Sequence, residues 1–249
     1  MSEVSSLVQF LERFRHFSAG FSKEGNEAFV KKTEPIINGY KTARQLDLEL
    51  DRKQATGYNL FDILNIRYAE TKAHTPFLVN LLNPNGSHGQ QDLFLTSFIN
   101  WFVPTEKRNN FLLDASSDYW VKQEHRFNDG QIDILIRSHD RKRKFGLIIE
   151  NKLLAPDQNE QIERYNQYLQ RLRLSSDQLM IFYLTIEGKD PKQLSVKRKS
   201  LKTMKEIGLF RNLSYKQDIL AWLQTQHEKV EATKVRQIVQ QYIDTLKTL

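Results

Sequence analysis

Two hydrophobic periods divide the chain. Near the start, Val4, Leu7, Val8, Leu11 and Phe14 recur at helical spacing over residues 4–17. A second helical stretch covers 26–54, with Pro35 and Gly39 as candidate break points, and Gly57 marks the next boundary. Leu60, Ile63, Leu64 and Ile66 predict a buried helix. Residues 71–82 run into the turn Asn83-Pro84-Asn85-Gly86-Ser87, and 92–102 form another helix stopped by Pro104.

The period then shortens to two. Residues 120–127 read as a first strand, and Asp129-Gly130 as a tight turn into a second. In 131–137, Ile132, Ile134 and Ile136 fall on one face, Asp133 and Leu135 on the other. A polar turn over 138–144 leads to a third strand, 145–152, apolar until it ends in Glu150-Asn151-Lys152. After Pro156, residues 157–160 read as a capping box opening a helix with Ile162, Tyr165, Leu169 and Leu172 on one stripe. Residues 178–186 suit a buried strand. A second cap at Ser214–Gln217 precedes two amphipathic helices, one with Ile219, Leu220, Trp222 and Leu223, the other with Val235, Ile238, Val239, Tyr242, Ile243 and Leu246. The order is helices, three strands, helix, strand, helices, which is α/β.

Composition narrows this further. A chain of 249 residues builds one substantial core with room for an appendage, and 11% aromatic content argues against disorder. With no cysteine there are no disulfides and no thiolate metal sites. The N-terminus lacks a signal-peptide pattern and no stretch approaches a membrane span, so a cytoplasmic location is expected. The net charge of +7 is concentrated. Residues 189–205 hold seven Lys/Arg against Asp190 alone, and 137–144 hold five against Asp140. Such concentration suits a polyanion, with Lys197, Arg198, Lys199, Arg141, Lys142 and Arg143 as candidate nucleic-acid contacts. Having little apolar periodicity, 197–199 reads as an exposed loop. No Gly-rich phosphate loop, nucleophile elbow or dinucleotide fingerprint appears.

The candidate chemistry sits where the second and third strands end. Period two puts Glu150 and Lys152 on one face, and Asp133 reaches that face from its neighbour if the register cooperates. Carboxylates there suit Mg²⁺, a hard cation taking oxygen ligands, and a lysine suits charge developing on a phosphate.

This pattern, an acidic strand end, a short hairpin and then E-x-K, resembles the PD-(D/E)XK nuclease superfamily. Gln161-x-x-x-Tyr165 matches the helix motif of its RecB-like branch. The segments Glu70-Thr-Lys-Ala-His74, Leu81 to Gly89, Asp92 to Leu95, Tyr183 to Gly188 and Ser214 to Leu223 follow in an order similar to one bacterial subgroup of mostly unassigned role. The likeness covers residues 58–248. Ile132 stands where the superfamily name has proline.

The resemblance implies a restriction-endonuclease-like α-β-β-β-α-β core, a mixed central sheet flanked by helices, with extra N- and C-terminal helices. Residues 1–55 would form a helical extension, a candidate dimer or partner surface, and 56–249 the nuclease domain. It further implies that Asp133 and Glu150, with Glu70 and the backbone carbonyl of Asn151, hold Mg²⁺ (or Mn²⁺). Lys152 would serve the attacking water or the phosphate, and Gln161 and Tyr165 would organise the centre. His74 is open between orienting a bound group and packing in the core. Glu124 is open between the site and solvent. The implied activity is hydrolysis of phosphodiester bonds, of DNA before RNA, in defence or DNA processing. The rival is a catalytically silent nuclease-fold protein that binds nucleic acid or scaffolds a complex.

Overall fold

The computed structural model describes residues 11–12, 15, 23–55, 57–115, 118–140 and 142–249. The chain divides into two compact units, residues 1–58 and 59–249. In the first, α1 (Lys23–Gln54) runs unbroken through Pro35 and Gly39, against the expected break. Proline forfeits one backbone hydrogen bond, and the Lys, Glu, Arg, Leu and Gln residues around it carry the helix through. Most of the expected helix over 4–17 lies outside the described residues.

The second unit holds a five-stranded sheet in the order β1-β2-β3-β4-β5. β1 (Tyr119–Phe127), β2 (Gly130–Ser138) and β3 (Gly146–Lys152) pair antiparallel; β4 (Leu179–Thr185) and β5 (Phe210–Ser214) continue parallel. The mixed α/β class is as expected, and β5 is an additional strand. One face is covered by α2 (Leu60–Ile63), α3 (Thr75–Leu82, entered through a π-turn at Glu70–His74), α4 (Leu93–Phe102), α5 (Arg108–Phe111), α8 (Leu220–His227) and α9 (Thr233–Lys247). The other carries α6 (Gln161–Arg171) and α7 (Arg198–Glu206).

Gly146 sets how closely α6 lies. A Cβ there would come within 2.9 Å of both Leu169 and Leu172, so only glycine lets this helix rest on β3. The α2 segment is smaller than its pattern suggests. It is one turn, ended by Asn65 in the left-handed region, and only Phe61 is buried while Leu60, Ile63 and Leu64 stay exposed. A single turn cannot express a helical stripe.

β2 departs from strict alternation. Ile134 and Ile136 join the cluster under α4, α8 and α9, whereas Ile132 packs with Leu135, Ile148 and Tyr165 on the α6 side. The ladder from Tyr119↔Ser138 to Phe127↔Gly130 skips one pair, Glu124 opposite Asp133, and Glu124 adopts φ +50°. Both strands therefore change face together. A non-glycine residue held there costs roughly 1–3 kcal/mol. The β2–β3 ladder also stops at Ile134↔Ile149, one step before Asp133. The strands part at the acidic residue.

Candidate active site

Where β2 and β3 part, the Asp133 carboxylate occupies the gap. Oδ2 accepts from the backbone N–H of Asn151 at 2.8 Å, a donor that the shortened β2–β3 ladder leaves unpaired. From the other side, Glu70 in the π-turn accepts from the N–H of Leu153 at 2.7 Å through Oε2. The two acids thus flank the end of β3, each with one oxygen held and the other outside those bonds.

Glu150 and Lys152 share a face as period two requires, and their side chains meet at 2.8 Å. Glu150 is fully buried. Its Oε1 also accepts from Nε2 of Gln161 at 2.6 Å, and its Oε2 lies 2.6 Å from the hydroxyl of Tyr165. Gln161 opens α6 and Tyr165 lies one turn on, so both reach Glu150 from one helix face, with 3.1 Å between them. The helix does not open with the expected capping box. Its N-cap is Glu160 in the left-handed region, and Asp157 instead accepts from the Tyr183 hydroxyl at 2.6 Å and the Lys192 N–H at 2.9 Å.

Charge and burial compete here. Burial pushes Asp133 up to about 6, against the Asn151 N–H and Lys152. Burial, reinforced by the Asp133 charge, pushes Glu150 up to about 8 despite Lys152 and Tyr165. Burial alone would pull Lys152 down, but the Glu150, Asp133 and Glu70 carboxylates outweigh it and the ammonium is held charged. Burial and Glu150 drive the Tyr165 phenol up, keeping it protonated.

Asn151 is gripped on three sides. Beyond its N–H, its amide donates to Thr75 Oγ1 at 2.9 Å and accepts from the Tyr215 hydroxyl at 2.8 Å. His74 is a satisfied core histidine. One ring nitrogen meets the Tyr242 hydroxyl at 2.8 Å and the other the carbonyl of Arg67 at 2.7 Å. Glu124 is exposed on β1. Thr75 and Tyr215 are contributors to this centre that the pattern alone did not single out, since polar residues inside apolar stripes read as core.

Of the basic residues, Lys197, Arg198 and Lys199 are exposed, but they form the N-cap and first turn of α7 rather than a loop. The buried Leu201 and Met204 supply the helical stripe, and Glu163 steadies that end, accepting from Lys197 N–H and Ser200 Oγ. Arg143 is exposed and pairs with Asp114 at 3.1 Å. Lys142 is exposed, and Arg141 lies outside the described residues.

A family model for the PD-(D/E)XK nuclease superfamily matches residues 58–244. The chain belongs to that superfamily. Searches of curated proteins and of solved structures return no match.

Superfamily nucleases use divalent metal ions. The donor chemistry here fits one, with oxygen ligands from Asp133, Glu150 and Glu70 and no sulfur. Among the described residues, however, no three acidic or histidine side chains converge closely enough to cage an ion. Both Glu150 oxygens are bonded, to Lys152, Gln161 and Tyr165.

Proposed function

We propose that the protein is a Mg²⁺-dependent nuclease that hydrolyses phosphodiester bonds of DNA in the cytoplasm, in defence or DNA processing. Residues 56–249 would be its catalytic domain and 1–55 an extension. The observation that carries this reading is the meeting of Asp133, Glu150 and Lys152 where β2 parts from β3, in a chain of this superfamily. Asp133, Glu150, Glu70 and the Asn151 carbonyl would hold the ion, which when bound lowers the pKa of a water and offsets charge on the phosphate. Lys152 presents a compact positive charge for the phosphate or the attacking water. Gln161 and Tyr165 hold Glu150 in orientation, and the Asn151 N–H holds Asp133.

The closed state of Glu150 favours a second reading, a nuclease-fold protein that binds nucleic acid without turnover. Circular and linear DNA incubated with the protein, in Mg²⁺ or in chelator, decides between them. Cleavage in Mg²⁺ alone, abolished by Asp133→Asn and by Glu150→Gln, supports the enzyme. Binding without cleavage supports the silent protein. Cleavage by either variant at near wild-type rate would place the centre elsewhere.

A further inference from the structure

A row of rings leads away from Tyr165 across the α6 side of the β1–β2 hairpin. Tyr165 lies 6.2 Å from Phe127, centroid to centroid, and Phe127 lies 5.1 Å from Tyr168. Tyr168 then meets His125 at 5.6 Å, His125 meets Trp120 at 5.8 Å, and Trp120 meets His139 at 6.4 Å. The row starts at the hydroxyl that touches Glu150 and ends at the far end of β1, an edge strand. Tyr165 is buried, Phe127, Tyr168, His125 and Trp120 are half-buried, and His139 is exposed.

The change of face at Glu124 and Asp133 builds this row. Strict alternation would put Trp120 on the side opposite His125 and Phe127, because their numbers differ in parity. The left-handed Glu124 between them turns His125 and Phe127 to the side of Trp120. The backbone strain is spent on collecting aromatic side chains beside Asp133.

Cations flank the row. Lys122 lies over the Trp120 ring, 5.9 Å from its centroid, and Arg137 stands opposite Trp120 in the ladder, which places both on this face. Burial, then Lys122 and Arg137, pull the His125 imidazole down, so it stays neutral and stackable. Neither Lys122 nor Arg137 forms an ion pair among the described residues, whereas Arg143 and Arg171 do. Half-covered rings beside unpaired cations are complementary to bases beside phosphates.

We infer that the face formed by Phe127, Tyr168, His125 and Trp120, flanked by Lys122 and Arg137, is a track for an unpaired polynucleotide strand leading to the Asp133–Glu150 centre. This rests on the nuclease reading and names its substrate as a strand with exposed bases. A duplex buries its base faces and has nothing to offer half-buried rings.

The test uses full-length protein in chelator with a labelled 12-nucleotide single strand, its duplex, and an abasic strand of equal charge. Lys122→Gln with Arg137→Gln should weaken single-strand binding about tenfold and lower the salt slope by roughly 1.4, about 0.7 for each phosphate contact on a single strand. Far-UV circular dichroism should be unchanged. In a Trp101→Phe background, the single strand should quench tryptophan fluorescence, and adding Trp120→Phe should remove the quench, since Trp222 is buried. The abasic strand should bind more weakly and the duplex more weakly still. An unchanged affinity and slope in the double variant, a duplex bound as tightly as the single strand, or equal affinity for the abasic strand each overturns the track. If the wild type cuts DNA with the same KM as the double variant, the track fails and the nuclease stands. If the wild type binds no nucleic acid at all, both fail.

Discussion

Tyr165 and Glu150 share a 2.6 Å hydrogen bond, and the same phenol oxygen lies 2.7 Å from the carbonyl of Gln131. A hydroxyl has one proton and cannot donate it to two acceptors at once. The phenol donates to the Glu150 carboxylate, and the Gln131 carbonyl competes for the same proton. Burial and the Asp133 charge raise Glu150 to about 8 against that bond and against Lys152.

The raised carboxyls fix a pH dependence. Glu150 rises from 4.5 to about 8 and Asp133 from 3.8 to about 6 on folding. A raised acid binds its proton more tightly folded than unfolded. Its stabilising contribution is complete below the unfolded value and is lost as pH rises through the folded one. Urea melts in chelator should show stability falling from pH 5 to pH 9, by about 1.4 kcal/mol per pH unit for each proton linked. Glu150→Gln should flatten most of that decline, and Mg²⁺ should stabilise the wild type more at pH 9 than at pH 5. A Glu150→Gln protein with the wild-type slope would show that this carboxyl is not the linked group.

Tyr215 offers a test of positioning. Its hydroxyl holds the Asn151 side chain, whose backbone N–H holds Asp133. Tyr215→Phe keeps the ring and orphans a buried amide oxygen, a loss of roughly 1–3 kcal/mol of stability. Cleavage should fall about tenfold in kcat, equivalent to about 1.4 kcal/mol on the barrier. KM for DNA should be unchanged, because no substrate contact is lost. A fall in stability with kcat intact would limit Tyr215 to the core.

How legible this centre was follows from which forces set each part. Ile134, Ile136 and the 145–152 run read correctly as strands because burial imposed their pattern, and Glu150 and Lys152 met because period two has no freedom over two residues. Ile132 did not follow, because the strained Glu124 opposite Asp133 turns the pleat over, and no periodicity marks a residue held at positive φ. β5 was invisible in Phe210–Ser214, where the two apolar residues, Phe210 and Leu213, are buried but stand three apart and so mark no period of two. The 197–199 tract looked like a loop because its own residues are all charged. The stripe that makes it helical begins two residues later, at Leu201.

Lys107 makes the clearest stability prediction. It is 2% exposed, and its ammonium donates to the carbonyls of Ser176, Ile207 and Gly208 at 2.9, 3.0 and 2.8 Å. Two of these close the C-terminal end of α7, where carbonyls lack helical partners and a cation is favoured. Burial pulls the lysine down, and no carboxylate bonds it directly. Lys107→Met preserves the stem and strands three acceptors. Unfolding free energy should drop by about 3 kcal/mol in urea melts, at roughly 1 kcal/mol or more for each bond lost. Cleavage at low temperature should stay near wild type. A loss under about 0.5 kcal/mol would mean that water replaces the ammonium at no cost.

The basic tract gives the last prediction, sharpened by its place on a helix. Lys197, Arg198 and Lys199 occupy the first turn of α7, exposed and without ion pairs among the described residues. The helix end favours an anion, and Glu163 already places a carboxylate there, on the Lys197 N–H and the Ser200 hydroxyl. What remains is three flexible side chains acting as point charges on a duplex backbone. Replacing all three by Gln should lower the slope of log affinity against log salt by about two to three, at about 0.9 per phosphate on duplex DNA. Binding should weaken alike across sequences, and turnover at saturating DNA should hold, because phosphate contacts position and do no chemistry. The tract and the aromatic row can be told apart in one experiment. Loss of the tract should weaken duplex binding most, and loss of Lys122 and Arg137 should weaken single-strand binding most. An unchanged duplex slope in the triple variant would show that these charges face only water.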